Sequence, residues 1–456
     1  MAASGGFDGA ISFAFFYYTA VLGLSGALVG LALGVSLAFD AVVDPVVGAW
    51  SDNIRSRFGR RLPPMMIATP LMLVSIGALF APPAHLSQWA LFGWLTVASI
   101  AARSFISLFN VPYYALGGEM AEGYAERSAL VAWRANAGLV IGVGITVLAF
   151  SVFFRGEQGL RNAAAYPAFG WTAAVLVFVA SVICILGLRK FAALLPQAVT
   201  PVAPLWRRLP REFGVVFANR SFRVLFISAS VFYVAAGVNG TLANHAYVFV
   251  WKLRPSTIQF LTYAYLGGML PGIAVAPWFT RRLEKKTLVL IGIAGVALSW
   301  ILLPGLRALR MITLTGDASL PLLLLNGLIV GFGVGLVVVA YPSMMADAAD
   351  EHEFLSGRRQ EGLYFAGLGF AGKAATGAGA IVGGFAISLI GFPQSLAQNA
   401  HGLLAEPVAE RLMLAHGPLA ALVCVASMLI FMPYAVTRAR HDEITTALHA
   451  RRAAQA

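Results

Sequence analysis

Two aspartates interrupt an otherwise apolar stretch, Ala38-Phe39-Asp40-Ala41-Val42-Val43-Asp44-Pro45. Four residues apart, Asp40 and Asp44 fall on one face of a helix, one turn from each other. A carboxylate inside a membrane helix marks a functional site, and two neighbouring carboxylates in a dry site cannot both stay ionised without a cation or a proton. The pair therefore points to binding of a cation or a proton and to ion-coupled transport. A second set of polar residues is scattered through other apolar stretches: Asn110 with Tyr114 four residues on, Arg134, and Lys373. An arginine donates forked hydrogen bonds to hydroxyls or acids, and a flat aromatic ring covers the apolar face of a sugar.

Such residues need a frame, and the composition says which. Apolar residues make up 59% of the 456-residue chain and charged residues 11%, against about 25% charged in soluble domains. A crossing of the bilayer takes about 20 apolar residues in a helix. The chain reads as an all-α polytopic membrane protein with twelve crossings, at residues 9–22, 25–50, 64–83, 88–116, 130–153, 167–188, 223–249, 257–279, 287–304, 319–345, 362–391 and 417–437. Lys and Arg gather after every second crossing: residues 55–61, Arg127, residues 189–223 and 281–286, Arg358 with Arg359, and the tail from Arg438. By the positive-inside rule both termini are cytoplasmic. The net charge of +12 is thus explained by topology, without a nucleic-acid partner. Cys184 and Cys424 lie in apolar segments and read as small core residues.

The longest polar interruption holds Pro196, Pro201, Pro204 and Pro210, the composition of a linker. It divides the chain into an N-terminal six-helix bundle (1–190), a cytoplasmic linker (191–222), a C-terminal six-helix bundle (223–438) and a cytoplasmic tail (439–456). Residues 206–217 read as a short interfacial helix. Glycine clusters at Gly331-Phe332-Gly333-Val334-Gly335 and Gly377-Ala378-Gly379 sit in long apolar stretches with no strand before them, so they suit close helix packing better than dinucleotide binding. Walker loops, zinc spacings and nucleophile elbows are absent from the sequence, which leaves an ATP-driven pump without its engine.

Several stretches taken together resemble one family. Tyr17-Tyr18-Thr19-Ala20-Val21-Leu22-Gly23-Leu24-Ser25, then Asp40-Ala41-Val42-Val43-Asp44-Pro45-Val46-Val47-Gly48 and Arg55-Ser56-Arg57-Phe58-Gly59-Arg60-Arg61, are similar to the opening signature of the glycoside-pentoside-hexuronide:cation symporters, the melibiose-carrier branch of the major facilitator superfamily. Later matches follow in order: Asn110-Val111-Pro112-Tyr113-Tyr114-Ala115-Leu116 with Glu126-Arg127, Asn219-Arg220-Ser221-Phe222, and Ala346-Asp347-Ala348-Ala349-Asp350 leading through Gly357-Arg358-Arg359-Gln360-Glu361-Gly362 to Lys373. The resemblance implies two six-helix bundles, a central solute cavity and alternating access by rocking of the halves.

It also implies roles. Asp40 and Asp44 are then the cation ligands, with Ser107 and Asn110 adding oxygens, and Na+ is the metal if sodium is the coupling ion. Asn110, Tyr114, Arg134, Lys373, Asp8 and Tyr18 face the solute, Lys373 lying near the cation site. Asp52, Arg55, Arg57, Arg60 and Arg61 form one gating loop, and Asp347, Asp350, Arg358 and Arg359 its counterpart in the second half. Departures from the family pattern are informative. Val43 stands where the sodium-coupled melibiose carrier offers an asparagine oxygen, and Na+ wants several hard oxygen donors, so proton coupling is a serious option. Asn110 replaces an acid, Asp8 is displaced by about one turn from the family's helix-one aspartate, Ser4 occupies the directly counted position, and Val338 replaces a tryptophan. The reading is a monomeric symporter of a sugar or glycoside-like solute in the bacterial inner membrane, an enzyme neither by motif nor by cofactor. The alternatives are symport of an amphipathic substrate such as a lysolipid, and a membrane-embedded lipid-modifying enzyme using the paired aspartates as acid and base.

Overall fold

The computed structural model describes residues 2–120, 124–156, 158–194, 214, 216–357, 361–393 and 404–453. Among these there is no β-strand. The helices that carry the argument are α1 (Ala2–Ile11), α2 (Gly26–Asp52), α3 (Leu62–Phe80), α4 (Gln88–Met120), α5 (Tyr124–Leu148), α6 (Ala165–Leu194), α7 (Arg220–His245), α8 (Pro255–Arg282), α9 (Lys285–Ala308), α10 (Leu320–Ser356), α11 (Glu361–Leu389), α12 (Glu406–Leu414), α13 (Ala420–Phe431) and α14 (Arg438–Ala453). Among the described residues, eleven helical spans are long and apolar enough to cross a bilayer. The all-helical membrane fold expected from composition is thus observed.

The first expected crossing differs in form. The apolar pattern places it at 9–22, but helix begins at Ala2 and is interrupted at Ser12 and Phe13 before a helical turn, Ala14–Phe16, and a π turn, Tyr17–Val21. The early start follows from packing, because Ala3, Gly6, Phe7 and Ala10 are buried. At the break, Ser12 Oγ donates to the Gly9 carbonyl at 2.7 Å and Phe13 N–H to the Ala10 carbonyl at 3.1 Å. Phe13 then enters an aromatic cluster with Phe150, Phe154 and Phe169, which compensates the lost regular turn by burying apolar area. The π turn closes through Leu22 N–H to Tyr17 O (2.9 Å) and Leu24 N–H to Tyr18 O (2.8 Å). The same pair of bonds recurs at the end of α7, from Trp251 to Ala246 (2.9 Å) and from Leu253 to Tyr247 (3.0 Å).

The chain divides into two compact units, one of Met1–Leu205 with Arg254–Gln259 and Ala380–Ala405, the other of Trp206–Leu253 with Phe260–Gly379 and Glu406–Ala456. In the first unit α2 lies along α4, α3 against α4 and α6, and α1 against α5 and α6. Glycine permits the α1–α5 approach: a Cβ on Gly5 would meet the Gly138 carbonyl oxygen at 1.9 Å. In the second unit α10 packs on α9, and α13 on α7 and α9. There Gly331, from the cluster noted in the sequence, would bring a Cβ to 1.9 Å from the Tyr265 carbonyl oxygen of α8. Small residues at these crossings let backbones approach where lipid supplies no hydrophobic drive between helices.

Two further boundaries depart from expectation. The last crossing, expected at 417–437, begins at Glu406 because α12 precedes it, its charged first turns lying outside the apolar window. Residues 439–456, expected as a tail, form α14 through Ala453, with Ile444 and Leu448 buried. Most of the linker, and with it most of the interfacial helix expected at 206–217, lies outside the described residues.

Candidate cation and solute site

Helix α2 continues through the aspartates to Asp52 although Pro45 lies inside it. Proline has no backbone N–H, so the Ala41 carbonyl, four residues before Pro45 and in the turn between Asp40 and Asp44, lacks its usual helical donor. Asp40 is buried (6% exposed) and Asp44 half-buried. Across the α2–α4 contact, Ser107 Oγ donates to Asp40 Oδ1 at 2.5 Å. One turn away along both helices, Arg103 Nε donates to Ser36 Oγ at 3.2 Å. The two helices are therefore joined by successive polar rungs, Ser36–Arg103 and Asp40–Ser107, each pair four residues apart on its own helix.

Helix α1 adds to the same side of α4. Ser4 Oγ donates to Asn110 Oδ1 at 3.3 Å, and Asn110 is 8% exposed. Ser4, at the directly counted position, thus reaches the residue that replaces the acid. Asp8, one turn on, is exposed and interacts electrostatically with Arg103. Asp40, Ser107 and Asn110 lie on the facing helices α2 and α4, with Ser36, Arg103 and Ser4 beside them. Chemically, a serine hydroxyl that donates to a carboxylate keeps its own lone pairs. Asp40 and Ser107 together offer hard oxygens of the kind a small cation takes, and the same carboxylate can take a proton instead.

Arg134 forms a separate group with two tyrosines. Its guanidinium carbon lies 4.5 Å from the ring centre of Tyr114 and 4.8 Å from that of Tyr113. Tyr114 is 40% exposed, so the arginine and an open aromatic face sit side by side on α5 and α4. Gly117 makes room for them, since a Cβ there would meet Arg134 Nη1 at 2.5 Å. Lys373 is half-buried on the part of α11 that belongs to the second unit.

Tyr18 sits in the packed interior of this structure. The resemblance assigns it to the solute-facing set, but it is fully buried and its hydroxyl donates to the Leu79 carbonyl at 2.8 Å. Its neighbour Tyr17 stacks on Tyr166 at 4.0 Å. The phenol satisfies an orphan carbonyl near the end of α3.

The loop residues are placed as follows. At the end of α2, Asp52 pairs with Arg61 at 2.5 Å, and Arg61 also donates to Ser51 Oγ at 3.0 Å. Arg55 and Arg57 are exposed, Arg57 lying 4.8 Å from the Phe58 ring centre, and Arg60 is half-buried. In the second unit Lys285 donates to both oxygens of Asp347, at 2.8 and 2.7 Å. His441 of α14 lies 3.2 Å from Asp350 and 3.5 Å from Asp347. Nearby Tyr434 has its phenol pushed up by burial, with the charges of Asp347 and Glu351 adding to the effect. Arg358 and Arg359 lie outside the described residues. Lys285 and His441 are not singled out by the sequence, where only their basic character in charged segments is visible.

A family model described as MFS/sugar transport protein matches residues 2–438. The chain belongs to this family. Among its relatives are the isoprimeverose transporter of Lactiplantibacillus pentosus, 25% identical with 85% of this chain and 78% of that protein covered, the inner membrane symporter YicJ of Escherichia coli, 24% identical with 85% and 80% covered, and the glucuronide carrier protein homolog of Escherichia coli, 24% identical with 82% and 78% covered. The fold is that of solved major facilitator transporters. A bacterial homologue of the human lysosomal transporter Spinster superposes with a TM-score of 0.64 at 15% identity, covering 98% of this chain and 95% of that one. A point mutant of the nucleoside transporter NupG gives 0.62 at 16% identity, covering 94% and 96%. This member of the family is accordingly a multi-pass membrane transporter with symporters among its relatives.

Proposed function

We propose that this carrier moves a sugar or glycoside-like solute together with Na+ or H+ by alternating access, in the inner membrane of a bacterium and with both termini cytoplasmic. The observation that carries the reading is the Ser107–Asp40 bond, a buried carboxylate and hydroxyl held against each other between α2 and α4. Asp40 is the principal ligand of the coupling ion, Asp44 the second carboxylate one turn away, and Ser107 and Asn110 further oxygens. Asp8, Asn110, Tyr114, Arg134 and Lys373 recognise the solute, the Tyr114–Arg134 pair offering an aromatic face beside forked donors. The pairs Asp52–Arg61 and Asp347–Lys285, with Asp350 and Arg358–Arg359, belong to the gates.

Lys373 has a further part in this reading, offsetting the paired aspartates when the ion is absent so that the empty carrier can reorient. Lys373→Ala should impair net uptake more than exchange between preloaded solute pools, because exchange skips the return of the empty carrier. Equal loss of both in folded protein would place Lys373 in solute binding or structure. The solute class is tested by thermal stabilisation of the purified carrier with sugars, glycosides, hexuronates and lysolipids, each with and without sodium. Stabilisation by a sugar or glycoside is the expected result, and stabilisation by lysolipids alone would overturn it.

A further inference from the structure

Among the described residues, Arg103 is the one cation of the α1–α2–α4 region that the solute and ion assignments above leave unused. A charged side chain at membrane depth is costly and is retained where it has a partner and a task. Its Nε holds Ser36 one turn from the Asp40–Ser107 rung. Its guanidinium carbon sits 5.4 Å from the ring centre of Phe7, the residue before Asp8. Its charge acts on two carboxylates, Asp8 on α1 and Asp40 on α2. An arginine keeps its charge at any physiological pH, and its planar guanidinium turns as one rigid fork, so a turn toward α1 exchanges the Nε bond to Ser36 for new partners.

We propose that Arg103 is a tethered internal cation that competes with the coupling ion for Asp40, and that Asp8 weakens this competition by drawing the guanidinium toward α1. The proposal rests on the reading of Asp40 as the coupling-ion ligand. Without the ion, the guanidinium offsets the charge of Asp40. With the ion bound, the two cations repel, and the guanidinium turns to Asp8, which is exposed. Arg103 is then a positioning residue that sets how tightly the ion is held and so how readily it is released. A role in packing alone predicts something different, because removal of a packing group leaves ion affinity unchanged or lowers it.

The opposite sign makes the test decisive. The melting temperature of the purified full-length carrier is titrated with NaCl at constant ionic strength, and separately with pH, and the midpoint of the stabilisation is read for each variant. A neighbouring arginine lowers a carboxylate's pKa by about one to three units. Arg103→Gln should therefore lower the NaCl midpoint about tenfold or more, or move the protonation midpoint about one unit or more to higher pH. Arg103→Lys, which keeps the charge, should stay close to the unmodified carrier. Asp8→Asn should move the midpoint the other way, to higher NaCl or lower pH. An unchanged or weakened ion midpoint in Arg103→Gln, with Asp40→Asn silent as expected, would overturn the proposal while leaving the Asp40 site intact. Absence of any ion response in the unmodified carrier would overturn the Asp40 site, and this proposal with it. Should Arg103→Gln fail to fold, Asp8→Asn decides alone, and an unshifted midpoint there refutes the competition.

Discussion

Asp40 and Asp347 are buried to the same degree, 6% and 7% exposed, yet they are held by chemically different partners. Asp40 lies well inside α2 and takes the hydroxyl of Ser107, with Arg103 acting on it from the next turn. Asp347 lies toward the end of α10, takes the Lys285 ammonium on both oxygens, and has His441 beside it. A carboxylate with both oxygens on an ammonium is neutralised in place and works as a clamp. A carboxylate bonded to a hydroxyl gains orientation without gaining charge, and the hydroxyl oxygen can face an ion alongside it. The difference teaches that burial alone does not identify a coupling site. The partner's charge, and whether it can be exchanged for a mobile ion, does.

The comparison breaks most sharply at Asp40. Asp40→Asn should abolish ion-driven accumulation in vesicles while leaving folded protein in the membrane, since an amide fills the same space and can be bonded. Retained accumulation would return Asp40 to a structural role. Ser107→Ala comes next and should raise the ion concentration for half-maximal stabilisation about tenfold, the equivalent of losing a hydrogen bond to a charged group worth about 1.5 kcal/mol. Ser107→Thr, which keeps the hydroxyl, should restore most of it. Asp347→Asn should act on the other axis, costing about 1–3 kcal/mol of stability by stranding Lys285, with the ion midpoint unmoved. A shifted midpoint would show that the second unit's clamp reaches the coupling site. Tyr18→Phe should have the smallest effect, about 1 kcal/mol from the lost bond to Leu79, with solute-induced stabilisation unchanged. A change in solute specificity would put Tyr18 back among the solute contacts.

Much of the fold could be read from the residues. Apolar stretches of crossing length mark the helices, because a bilayer imposes both length and composition on each one. The aspartate pair stands out because spacing of four residues fixes a common helix face, whereas Ser107, Asn110 and Tyr114 are marked as candidates by the family resemblance. What could not be read is what packing decides. The break at Ser12 and Phe13 has no proline or glycine to announce it and depends on an aromatic cluster supplied by residues 150–169. Lys285 and His441 reach Asp347 from segments 62 and 94 residues away in sequence, as α9 and α14 fold onto α10. Gly117 looks like any other glycine until Arg134 is seen lying over it. Nor does the family signature announce that the Tyr18 hydroxyl bonds a carbonyl at the end of α3.

The central claim is that Asp40, backed by Ser107, holds the ion whose entry drives the solute. Its most direct test is the ion stoichiometry of the purified carrier, measured as radioactive sodium retained at equilibrium and, in parallel, as protons taken up when pH is lowered in weakly buffered solution. The account predicts an exchangeable ion of one kind or the other bound by the unmodified carrier and lost in Asp40→Asn. Equal retention of that ion by both proteins would contradict it.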